Sequence, residues 1–290
     1  MARLGTTSLL GYVRARLDTA AIGRRELFVW LVFILMANQL LRLHAPSLAG
    51  LGEALFDALQ NKSAIYYLGW YATLQLLVDD RSEAAATKSD VAFALSITFF
   101  NFLSAYSVPW LSVTAAAAYL LITSRGNTRQ NAAAAVLLAL AFNGFWGPKL
   151  FDFFAIYLLR ADAALVGAAL SATQSGMGWD DTIVGTPEGH RVLIFGPCSS
   201  FHNISLGLLC WVAISRLVRQ VWRWQDLVIG LVVCMAVVLL NGTRLYLMAL
   251  NPEYFGYWHH EFGETIFTWV TTFTILLISL WGVYRTERRA

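Results

Sequence analysis

Long apolar runs separated by short, arginine-rich segments dominate this chain and leave it few ways to fold. A helix that crosses the hydrocarbon core of a bilayer needs about 20 apolar residues. Runs of that order occupy 26–43, 64–79, 131–147, 201–218, 226–248 and 264–284. The stretch from Val91 to Ser124 is too long for one helix, and Ser107-Val-Pro109 offers a turn in its middle, so it reads as two shortish spans, 91–107 and 110–124. With 58% of 290 residues hydrophobic and 13% charged, the composition is not that of a soluble domain. The expected fold is an all-α, polytopic membrane helix bundle of about eight transmembrane helices.

Lys and Arg accumulate in the cytoplasmic loops of membrane proteins. With the N-terminus inside, the inner segments are 1–25, 80–90, 125–130, 219–225 and 285–290. Of the 21 basic residues, only Arg42, Lys62, Lys149, Arg160, Arg191 and Arg244 then fall outside or near the outer face. This predicts a multi-pass protein of the cytoplasmic (inner) membrane with both termini cytoplasmic. Residues 1–25 carry five arginines and only short apolar stretches, so they read as a cytoplasmic flank and not as a cleavable signal. A net charge of +3, scattered between apolar runs, gives no surface for nucleic acid.

A single integral-membrane domain over 1–290 is expected: the flank 1–25, five spans in 26–147, an outer region 148–200, three spans in 201–284 and a cytoplasmic tail 285–290. Within the outer region, 149–172 is helix-like and apolar but interrupted by Lys149, Asp152, Arg160 and Asp162, which favours an outer interfacial helix. Turn formers fill 175–189, and Arg191-Val-Leu-Ile-Phe195 reads as a short strand. A small loop or hairpin therefore leads into Phe195-Gly-Pro-Cys-Ser-Ser200.

Three side chains with complementary chemistry fall at the outer ends of the last three spans: Cys198, Arg244 and His259. A thiol next to a helix N-terminus is open to activation as thiolate. An arginine inside a span marks a site or snorkels to the headgroups, and an imidazole can move protons near neutral pH. Together they can make an acyl-transfer site. His260 beside His259, His190 in the preceding loop, and His202, four residues after Cys198 on its expected helix face, compete for the role of base. Cys210 and Cys234 lie inside apolar runs, as buried thiols ordinarily do. No H-E-x-x-H, paired C-x-x-C, G-x-G-x-x-G, Walker-type loop or G-x-S-x-G occurs, so no metal, nucleotide or other cofactor is expected.

At these residues the chain resembles the exosortase/archaeosortase family of multi-pass membrane cysteine transpeptidases. The family's three boxes, an Ala-Cys-Ser-Gly-like box before a span, Asn-x-x-Arg ending the next and His-x-x-x-Gly opening the last, read here Pro197-Cys-Ser-Ser200, Asn241-Gly-Thr-Arg244 and His259-His-Glu-Phe-Gly263. The resemblance covers roughly 131–284, and the first box departs from the pattern at Pro197 and Ser200. It implies catalysis by Cys198, Arg244 and His259 at the outer, periplasmic side. The implied partners are membrane lipid and exported protein substrates that end in a short motif, a transmembrane helix and a few basic residues. A non-enzymatic carrier or assembly partner for envelope polysaccharide export is the alternative, with Arg244 binding an anionic group.

Overall fold

The computed structural model describes residues 22–44, 63–103, 105, 107–124, 126–186, 189–259 and 261–287. Most of the segment 1–25 expected to be a cytoplasmic flank, the basic residues Lys62, Arg125, Arg288 and Arg289, and the rival base His260 lie outside the described residues. Ten α-helices are described: α1 Arg24–His44, α2 Ala64–Val78, α3 Lys88–Asn101, α4 Ser107–Thr123, α5 Thr128–Ala141, α6 Gly147–Thr173, α7 Ser200–Val218, α8 Trp224–Leu250, α9 Pro252–His259 and α10 Glu261–Glu287. The chain is therefore a mostly all-α membrane protein. Between α6 and α7 lies an antiparallel sheet of three short strands, β1 Gly178–Asp180, β2 Ile183–Gly185 and β3 Arg191–Leu193, in the order β1-β2-β3. The expected strand and hairpin before the cysteine box are present, with one strand more.

Four helical runs are long and apolar enough to cross a bilayer: Thr128–Thr173, Ser200–Val218, Trp224–Leu250 and Phe262–Arg285. Ala64–Val78 and Ser107–Thr123 are apolar but shorter. At about 1.5 Å per residue, a helix of 15 residues rises roughly 22 Å, short of the ~30 Å hydrocarbon core. The count of eight crossings is thus not reached on length and composition.

Two expected boundaries move. One helix ends at Asn101 and the next begins at Ser107, so Pro109 sits in the first turn of α4, where a missing N–H has no intrahelical partner to lose. The expected separation of a span ending at 147 from a helix at 149–172 is replaced by one continuous run, because a π turn, Phe142–Trp146, joins α5 to α6. Its wide hydrogen bonding runs from Gly147 N–H back to the Phe142 carbonyl. A Cβ on residue 147 would lie 2.8 Å from that carbonyl oxygen, so glycine is what permits the turn, and Pro148 opens the α-helix that follows.

The core has two parts. The larger joins α1–α5 to α7, α8 and α10 through residues such as Trp70, Leu137, Leu140, Leu209 and Val237. The smaller lies where the sheet covers the ends of α6 and α8, and combines Val166 and Leu170, Val184, Val192 and Ile194, Cys198, and Leu245, Met248 and Ala249. Polar anchors mark the far end of the bundle. There Arg24 meets Asp90 and Gln130, Asp80 accepts from Asn127 and Gln130, and the fully buried Arg216–Asp226 pair locks the turn between α7 and α8. The sheet end carries the candidate residues.

Candidate active site

Cys198 closes a 3₁₀ turn, Gly196–Cys198, between β3 and α7. Pro197 is the second residue of the turn, and the Cys198 N–H donates to the Phe195 carbonyl at 2.8 Å. Ser199 follows in extended conformation (φ −69°, ψ 142°) and caps α7, its hydroxyl accepting from the Phe201 N–H. The expected shared helix face of Cys198 and His202 is therefore absent. Their four-residue spacing crosses an extended cap, and His202 lies on the exposed side of α7.

The start of α7 is held by a residue from α6. Asp162 is buried, and its Oδ2 accepts from the Ser199 hydroxyl at 2.9 Å and from the Ser200 N–H at 3.0 Å. Two of the donors that a helix N-terminus offers an anion are thus taken by Ser199 and Asp162. Expected activation of the thiol by the helix terminus gives way to the opposite balance. Burial pushes the Cys198 thiol above its ordinary value. The Phe195 backbone and the Arg244 guanidinium pull it down, and the Glu264 and Asp162 carboxylates push it up. The resting site favours a protonated thiol.

The second box meets the first directly. Asn241 is 6% exposed, and its Nδ2 donates to the Cys198 carbonyl at 2.8 Å and to the Ser200 hydroxyl at 3.1 Å. One turn further along α8, Arg244 is near enough to Cys198 to favour its thiolate. Its Nε donates to the Trp258 carbonyl at 3.3 Å, one residue before His259.

His259 ends α9, half-buried, with its ring stacked on Phe255 at 4.8 Å between centroids. Gly263 keeps α9 and α10 in contact, since a Cβ there would lie 2.5 Å from the Tyr257 carbonyl oxygen and 2.6 Å from Trp258 Cα. His190 has a structural task. A carbonyl only accepts, so His190 Nε2–H donates to Met248 in the last turn of α8, at 3.0 Å. Among the described residues, no group of three or more His, Cys, Asp and Glu could hold a metal ion.

Sequence reasoning placed Cys198, Arg244 and His259 at this end but missed the parts of Asp162 and Glu264. The signal for Asp162 was a carboxylate within an apolar helix. A thiol at the mouth of a membrane-spanning helix, with an arginine from the next helix beside it, defines a membrane protein with a candidate thiol site. The comparison with family models goes further. Residues 27–277 match the model described as Transmembrane exosortase (Exosortase_EpsH), and the chain belongs to that family. No curated protein and no solved structure matches it.

Proposed function

We propose that this chain is a cysteine transpeptidase that cleaves C-terminal sorting tails of exported proteins at the outer face of the cytoplasmic membrane. In this reading the whole chain is one domain with eight crossings and both termini in the cytoplasm. Cys198 Sγ attacks the scissile carbonyl as His259 takes the thiol proton. Arg244 stabilises the thiolate and the developing oxyanion. His259 then returns the proton to the departing amine, leaving an acyl-enzyme thioester on the substrate's new C-terminus. An acceptor amine or water resolves the thioester.

The observation that carries this reading is the meeting of two family boxes at one turn: Asn241 holds the Cys198 carbonyl while Arg244 acts on its thiol. A buried thiol pushed up by its surroundings needs a base at the moment of attack, which gives the imidazole of His259 its work.

Comparison of exported proteins in cells carrying the wild-type chain or Cys198→Ala tests the proposal. Proteins with an intact tail should accumulate in Cys198→Ala and in Cys198→Ser. Arg244→Ala should come close to the same phenotype, and His259→Ala should impair processing more than His260→Ala. Normal processing by Cys198→Ala would sink the proposal and favour a carrier in which only Arg244 matters. Mass spectrometry of the product separates transfer, which leaves an adduct on the new C-terminus, from hydrolysis, which leaves a carboxylate.

A further inference from the structure

We infer that the open edge of β3 binds the substrate segment beside the scissile bond as an added strand. The inference rests on the transpeptidase reading above and names how that substrate is held.

The ladder between β2 and β3 pairs Ile183 with Leu193, Val184 with Val192 and Gly185 with Arg191. Thr186 N–H donates to the His190 carbonyl, and Ile194 N–H to the Thr182 carbonyl. Even-numbered residues 190, 192 and 194 therefore turn their main-chain groups towards β2, and odd-numbered ones turn theirs away. Among the described residues, nothing pairs with the Leu193 N–H or C=O, and Leu193 is 56% exposed. The opposite edge is not available in the same way, because β1 lies on α6: a Cβ on Gly167 would come within 2.6 Å of Trp179. An exposed edge with unpaired amide groups is what an extended peptide needs in order to add a strand.

The position of this edge ties it to the nucleophile. The Phe195 carbonyl turns back to accept from Cys198 N–H, so the open edge ends where the cysteine turn begins. The backbone path from Leu193 to Cys198 is two extended steps and a 3₁₀ turn, at most about 13 Å, or about four extended residues of a paired chain. A short motif bound at Leu193 thus delivers a peptide bond to the thiol. Side-chain selection has a place beside the same turn: a groove of about 390 Å³ lined by Pro148, Phe151, Pro197, Phe201 and His202. Main-chain pairing supplies affinity in this mode, and such a pocket supplies specificity.

The probe is the exported protein that accumulates with its tail intact in Cys198→Ala cells. In a Cys198→Ala, Leu193→Cys variant, single cysteines are scanned along that protein on both sides of its cleavage point, and disulfide formation under mild oxidation is read on non-reducing gels. Strand pairing predicts cross-links at every second substrate position. Equal cross-linking at successive positions, or none, would overturn the inference. With Cys198 intact, Leu193→Pro removes the outward N–H, a change an edge strand tolerates, and it also fixes φ and removes the leucine side chain, the loss that Leu193→Ala reports separately. It should raise KM roughly three- to tenfold, as expected for one lost hydrogen bond, while Leu193→Ala stays near wild type. An unchanged KM in Leu193→Pro would also overturn it. If the wild-type chain itself leaves every tail in place, the transpeptidase reading fails and takes this inference with it. Cleavage without the two-residue period leaves that reading standing and removes only the strand pairing.

Discussion

Replacing Asp162 by Asn and by Ala separates two effects of one side chain. Its Oδ2 accepts both the Ser199 hydroxyl and the Ser200 N–H, and an amide carbonyl oxygen has the two lone pairs to do the same. Asp162→Asn should therefore keep the cap of α7 while removing a negative charge that opposes the Cys198 thiolate. Asp162→Ala leaves two buried donors without an acceptor, at about 1–3 kcal/mol each, so the turn should lose roughly 2–6 kcal/mol of local stability. The assay is the rate of maleimide addition to Cys198 in purified protein, followed by intact-mass spectrometry from mildly acidic to alkaline pH, with Cys198→Ala as the blank for Cys210 and Cys234. Since the carboxylate pushes the thiol up, Asp162→Asn should label at lower pH than wild type with an unchanged melting temperature. Asp162→Ala should melt earlier. If Asp162→Asn labels at the same or a higher pH, the account of why the resting thiol is protonated is wrong.

The guanidinium acts in the opposite direction, so Arg244→Ala should move labelling to higher pH, and if Arg244 stabilises the oxyanion as proposed, its loss should lower tail processing by about 10²–10³-fold. Asn241→Ala removes the donor to the Cys198 carbonyl and should cost about 1–3 kcal/mol. Asn241→Asp should be worse, because it sets a carboxylate against that carbonyl; thermal unfolding in detergent ranks the two. At Gly263 an added methyl meets backbone on both near sides, so Gly263→Ala should displace α9 with His259 and reduce processing even where Cys198 still labels. Processing and labelling measured on the same preparation check this.

Cys198, Arg244 and His259 stood out in the sequence because a thiol, an arginine and an imidazole fall at the ends of three successive apolar runs, and the box pattern around them came from the family resemblance. The hairpin was legible from the turn formers at 175–189 and the apolar run after Arg191. Other features depend on contacts between segments distant in sequence, which periodicity does not report. Asp162 looked like one more charge on an interfacial stripe, yet it faces inward and caps a helix that starts 38 residues later. The spacing of Cys198 and His202 suggested one helix face, and a single extended residue, Ser199, breaks it. Gly147-Pro148 looked like a helix end, but a π turn absorbs it. Length and composition support four of the eight expected spans, because apolar helices such as Ala64–Val78 and Ser107–Thr123 are only about as long as the shortest that cross a bilayer.

The protonated, shielded state of Cys198 has a consequence for how long the thiol survives. Thiol–disulfide exchange and oxidation to sulfenic acid both proceed through the thiolate, and both need access to it. Cys198 is 7% exposed and its surroundings favour the thiol, so oxidants and stray disulfides meet a poor target at rest. If Cys198 lies on the outer side of the membrane, as proposed, a thiol with no nearby cysteine to resolve a mixed disulfide gains chemical lifetime from the same burial that slows its reaction. In the proposed reaction, the protein accepts a slow resting nucleophile in exchange for one that lasts.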